Sequence, residues 1–195
     1  VHVSETTGLS RGFERWLDLS RRAQSKEDSI FNTSDKKGRP VHRRAPNGKE
    51  INEEVLMRVS AASAARKMTH AKPLFLYVPY MEPHSSYSPP PEVRARFLTD
   101  PTYRPDQNVS SDALTALAGG ERQISAAERQ WLIDLYDAEI ATVDIAIREL
   151  LEGVAKLGYG ENTVTVVISD HGEAFGEHGG YFHGLRLHAE TLRVP

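Results

Sequence analysis

"TVVISDHGEAFGEHGGYFHG", Thr165 to Gly184, changes character halfway along its length. Its β-branched and apolar start, which continues "ENTVTVVIS" from Glu161, runs straight into Asp170-His171. A short apolar run that stops at turn residues predicts a strand buried on both faces of a parallel sheet. In open α/β sheets, ligands collect beyond the carboxyl ends of the strands. The apolar run is thus a rigid mount. What it carries is Asp170, His171, Glu173, His178 and His183, interleaved with glycines whose backbone can approach a bound anion closely.

Upstream, Ser125-Ala126-Ala127-Glu128 has the form of a capping box. Leu132, Leu135, Tyr136, Ile140, Val143, Ile147, Leu150 and Val154 follow at three- and four-residue steps, predicting a long amphipathic helix closed by Gly158 and Gly160. The same grammar occurs earlier. "INEEVLMRVSAASAARKMTHAK", Ile51 to Lys72, reads as a helix, and "PLFLYVPY", Pro73 to Tyr80, as a second buried strand. Pro83, Pro89, Pro90 and Pro91 then force the chain out of the sheet and across its end. Helix–strand–loop repeated in this way predicts an α/β fold, with a mostly parallel sheet flanked by helices.

Three other stretches carry less. Gly8 to Arg22 has a short mixed apolar face, and 101–123 reads as loop. Residues 32–50, "NTSDKKGRPVHRRAPNGKE", form a polar basic loop or insertion. Gly and Pro interrupt that stretch and no aromatic is interleaved for base stacking, which argues against nucleic acid as a partner. The net charge of -3 gives no global pull toward polyanions either. No apolar run approaches the length of a membrane span. Without a cysteine, the 195 residues hold no disulfide, thiol nucleophile or thiolate metal site.

The chemistry should sit at the two strand ends. Asp170 and His171 can converge on one ion once the backbone turns at Gly172; carboxylate plus neutral imidazole suits Mn²⁺ or Zn²⁺, or Ca²⁺ where oxygen ligands dominate. The plainer alternative is a strand-end Asp that caps its own turn, with His171 as its hydrogen-bond partner. His84 follows the other strand end, with Tyr87 beside it, and reads equally as an exposed loop residue or a site residue. His178 fits an outer position or plain exposure, and His188 fits a structural role on a following helix. No H-E-x-x-H occurs, so a zincin protease is not indicated.

Several segments, in order, resemble the sulfatase branch of the alkaline-phosphatase superfamily. "GLSRGFERWLD" is similar to the family's GF-containing stretch, and "PLFLYVPYMEPHSSYSPP" to its strand and Pro-His loop. "YDAEIATVDIAIRELLEGVAKLGYGENTVTVVISDHGEAFGEHG" resembles its helix, strand and metal loop, and "HGLRLHAETLRVP" the segment after it. The likeness covers nearly the whole chain except the basic insertion.

The resemblance implies an alkaline-phosphatase-like α/β fold and a metal-dependent sulfuric ester hydrolase. Phosphonate or phosphate-ester hydrolases, and phosphoethanolamine or phosphoglycerol transferases, are its alternatives within the superfamily; a non-catalytic metal- or partner-binding piece is the alternative of another class. It makes Asp170 and His171 ligands of one divalent ion, Ca²⁺ or Mn²⁺, in places where many sulfatases use Asp and Asn; the imidazole tilts the choice toward Mn²⁺. His84 would contact the sulfuryl oxygens. His183 falls where relatives place a Lys or His that binds the sulfate and protonates the ester oxygen. The implied substrate is a small-molecule or glycan sulfate ester; the compartment is not readable from the chain, the family allowing a periplasmic or extracellular one.

Departures are equally plain. The one stretch that fits C/S-x-P/A-x-R, the pattern that yields the formylglycine nucleophile, is Ser125-Ala126-Ala127-Glu128-Arg129, already read as a helix capping box rather than a nucleophile loop; the paired aspartates and the Arg/Lys group that complete the family's site do not occur. Glu82 stands where Asp is usual, and Ser86 where Pro is common. An internal fragment of a catalytic domain, lacking turnover in isolation, accounts for this pattern. Formylglycine is then expected upstream.

Overall fold

The computed structural model describes residues 46–66, 73–105, 116–184 and 187–195, with the backbone of two short strands at 33–34 and 40–41. The Gly8 to Arg22 block lies outside the described residues, as do most of the basic stretch, 67–72 and 106–115. Strands β1 (Thr33–Ser34) and β2 (Pro40–Val41) pair antiparallel, Thr33 opposite Val41.

Helix α1 spans Gly48–Arg66, so its first turn uses the last residues of the stretch read as a basic loop over 32–50. The start is fixed locally. Asn47 Oδ1 accepts from the Glu50 N–H at 3.0 Å, and the Glu50 carboxylate accepts from the Asn47 N–H at 2.9 Å, which satisfies two orphan donors reciprocally. The Asn-x-x-Glu spacing was visible in the sequence. The Glu82 carboxylate also accepts from the Gly48 N–H at 3.1 Å, tying the Pro-His loop to the same helix end.

After the short helix α2 (Pro91–Arg94), the long helix α3 runs Ala126–Val154. Ser125 Oγ caps it as expected, accepting from the Glu128 N–H at 3.1 Å. The Glu128 carboxylate does not return to the cap, because it pairs with Arg122. The helix ends in one wide turn, Ala155–Tyr159, where Gly158 takes φ +92°. α3 packs along α1: Asn52 Nδ2 donates to the Ala146 carbonyl at 2.7 Å and Ser63 Oγ to the Leu157 carbonyl at 2.9 Å.

The core gathers at the first half of α3. Leu132 and Leu135 are buried with Tyr87, Leu117 and Phe175, and Trp131, Tyr136, Tyr181 and Phe182 pack around them. The apolar spacing overstates this face in one place, since Ile140 is 43% exposed. It also misses Asp134 and Glu139, which are buried on the same helix. Asp134 accepts from the Thr99 N–H at 2.7 Å and Glu139 from the Ser88 N–H at 2.7 Å. Burying a carboxylate is costly unless it is hydrogen-bonded, and these two use that need to hold neighbouring loops.

Pro73–Tyr80 and 161–169 do not form the buried strands expected of them. Neither enters a ladder among the described residues. Phe75 is 73% exposed, and Val166 and Ile168 are each 74% exposed. A strand is buried on both faces only where ladders flank both edges and helices cover both faces. Here α1 and α3 cover one another instead. The ladders among the described residues are two antiparallel pairs, so the parallel sheet is not among them. The second pair, β3 (Ala174–Phe175) with β4 (Tyr181–Phe182), sets Ala174 opposite Phe182. That register puts Glu173 and His183 across from each other at its mouth.

Candidate active site

The backbone turn after Ser169 is fixed from outside. The Gly172 N–H donates to the Thr191 carbonyl at 2.9 Å, just after the start of helix α4 (Ala189–Leu192). A Cβ at position 172 would lie 2.2 Å from the Glu190 carbonyl oxygen, so only glycine allows this approach. The turn brings Asp170 and His171 to one side. His171 Nε2 lies 3.8 Å from Asp170 Oδ1. Its other ring nitrogen, Nδ1, is 2.8 Å from the Gly172 carbonyl oxygen, which can only accept. The proton therefore sits on Nδ1, and Nε2 keeps the lone pair that faces the carboxylate.

Two more imidazoles continue from this pair. His183 stacks on His171, ring centroids 3.9 Å apart and planes 27° apart. His84 meets His183 edge-on at 5.4 Å. His84 Nδ1 lies 2.7 Å from the Ser85 carbonyl oxygen, which again leaves Nε2 free. His183 Nδ1 lies 2.8 Å from Glu173 Oε1. The residues singled out in the sequence thus form one row: His84, His183, His171, Asp170.

Glu173 was noted in the sequence without a role. It is 9% exposed, and its second oxygen accepts from the Tyr87 hydroxyl at 2.8 Å. Tyr87 sits in the core, its ring 5.6 Å from that of Tyr136 and 6.2 Å from that of Phe175. Burial, and then the Glu173 carboxylate, push its hydroxyl far above the ordinary phenol range, so it remains a donor. Tyr136 is raised as well, by burial first and by Glu173 second.

His178 and His188 lie elsewhere. Their rings stack at 4.3 Å, and His178 Nδ1 is 2.8 Å from Glu190 Oε1. That hydrogen bond is the largest cause holding the Glu190 carboxyl below its usual range. They border a cavity of about 140 Å³ with Leu117, Ala174, Tyr181 and Phe182; none of His84, His171 and His183 lines it. His188 precedes α4 at its N-cap position rather than lying on the helix, and its side chain makes no cap hydrogen bond.

Asp170 and His171 present an anionic oxygen and an imidazole lone pair 3.8 Å apart, donor types that would suit part of a divalent-ion ligand set. Zinc takes about four ligands and calcium six to eight. Among the described residues, no third His, Asp or Glu joins the pair in a group able to hold a metal. No described helix is long and apolar enough to cross a membrane.

No curated protein and no solved structure matches the chain. The family model described as "Sulfatase" matches residues 2–195, which spans both the His84 loop and the Asp170 loop. The chain belongs to the sulfatase family, whose fold is the α/β fold of alkaline-phosphatase-like enzymes.

Proposed function

We propose that these residues form the anion-binding and leaving-group side of a hydrolase of sulfate monoesters. The observation that supports this best is the imidazole row, with His183 between His84 and His171 at 5.4 and 3.9 Å. Asp170 and His171 would hold one divalent ion, Ca²⁺ or Mn²⁺, which would supply positive charge beside the sulfuryl oxygens. His84, in its protonated form, donates from Nε2 to a sulfuryl oxygen. His183 in its protonated form donates from Nε2 to the ester oxygen as the S–O bond breaks. Negative charge grows on that oxygen in the transition state, and a donor placed there lowers the barrier.

The nucleophile is a formylglycine outside these residues, since the one stretch that fits the modification pattern, Ser125 to Arg129, caps α3 through the Ser125 hydroxyl. On this reading the 195-residue chain alone does not turn over an aryl sulfate, whereas the full-length protein that carries it does.

The test compares His183→Ala with the wild-type full-length protein on a nitrophenyl sulfate and an alkyl sulfate. Loss of the proton donor lowers kcat by roughly 10²–10⁴ for the alkyl ester and far less for the nitrophenyl ester. An equal loss on both would remove His183 as the donor. Faster hydrolysis of the matched phosphate or phosphonate esters would move the chain to the phosphoryl branch of the superfamily.

A further inference from the structure

We propose that Glu173 is the positioning residue for His183: one oxygen holds Nδ1–H, so that Nε2 is the atom turned to the ester, while Tyr87 clamps the other oxygen. This rests on the role given to His183 above.

Both Glu173 oxygens are used and no proton is left over. Oε1 faces His183 Nδ1 and Oε2 faces the Tyr87 hydroxyl, each at 2.8 Å. The Glu173 side chain is 4% exposed against 25% for His183, so the carboxylate is the fixed partner and the ring edge the accessible one. The β3–β4 register already sets positions 173 and 183 across from each other. The hydrogen bond then decides what register cannot, the rotation of the ring and which nitrogen carries the proton.

The support continues into the core. The Tyr87 ring packs with Tyr136 and Phe175, and Phe175 is part of the same hairpin. Tyr87 also lies three residues after His84, so its bond to Glu173 staples the His84 loop to the His183 loop. A proton donor misplaced by about 1 Å can lose about a hundredfold in rate. Glu173 does not touch the ester.

The experiment has a structural and a kinetic arm, both on the full-length protein. A long-range ¹H–¹⁵N spectrum of neutral His183 should show the proton on Nδ1; a proton on Nε2 overturns the proposal. In kinetics, Glu173→Ala should lower kcat about a hundredfold on an alkyl sulfate, with KM within about twofold and little change on a nitrophenyl sulfate. Glu173→Gln should keep most of the rate, since its amide oxygen can accept from Nδ1 while its NH₂ faces the Tyr87 oxygen. Tyr87→Phe, which keeps the core ring, should give a loss between the two. A Gln variant as slow as Ala, or an Ala loss equal on both esters, overturns the proposal. If the wild-type protein hydrolyses no sulfate ester, the sulfatase reading falls, and the spectrum still decides on Glu173.

Discussion

His171 and His183 are stacked at 3.9 Å, so the ring assigned to the metal forms a wall for the ring assigned to the leaving group. The two side chains meet at the open end of the β3–β4 hairpin, His171 before β3 and His183 after β4. One contact therefore links the proposed metal ligand and the proposed proton donor, and a change in one ring should be felt at the other.

The first expectation concerns the ion. In the full-length protein, a chelator should abolish turnover and added Mn²⁺ or Ca²⁺ should restore it. Asp170→Ala should lower bound metal from about one ion per chain to near none, because one of few charged ligands is lost. Elemental analysis of the purified variant checks this. Full metal content in Asp170→Ala would take the site away from this loop.

Gly172→Ala tests the turn that aims both ligands. The new methyl meets the Glu190 carbonyl oxygen at 2.2 Å, far inside contact distance. Either the Gly172–Thr191 hydrogen bond breaks or α4 moves. The expected result is a lower melting temperature, by scanning calorimetry, together with weaker metal retention.

Glu139 gives a pH dependence whose sign is fixed by its environment. Burial raises its pKa above the ordinary value of 4.5; the Ser88 hydrogen bond opposes this and Glu82 adds to it. A carboxyl raised in the folded state contributes stability that is full below its ordinary pKa and is lost as pH rises through the raised value. Glu139→Gln removes that loss and can still accept from the Ser88 N–H. The variant should melt above wild type at about pH 7, and the gap should close at about pH 4. A constant gap across that range would locate the effect in packing rather than in charge.

Leu132 is 1% exposed, between Leu135, Leu117 and the hairpin aromatics. Leu132→Ala should destabilise the fold by about 2–5 kcal/mol, the usual cost of a cavity of that size. Ile140→Ala, on the exposed side of the same helix, should cost far less. Urea titration of the two variants measures the difference.

Local chemistry was legible from the sequence. Ser125 caps α3 where the capping pattern places it, and Gly158 ends the helical run. The Asn47–Glu50 box was equally local and was overlooked inside a basic stretch. The catalytic candidates, His84, His183, Asp170 and His171, were named from strand ends and from family likeness, and the fold brings them into one row.

By itself, then, the sequence determined where helices begin and end and which polar residues follow each apolar run, since those depend on neighbours within a few positions. Only the tertiary structure decided that Tyr87 bonds Glu173 across 86 residues, and that Asp134 and Glu139 are buried. It also decided that Phe75, Val166 and Ile168 face solvent rather than a core. Apolar character states what a side chain gains by leaving water; whether anything covers it depends on distant parts of the chain, which no local pattern encodes.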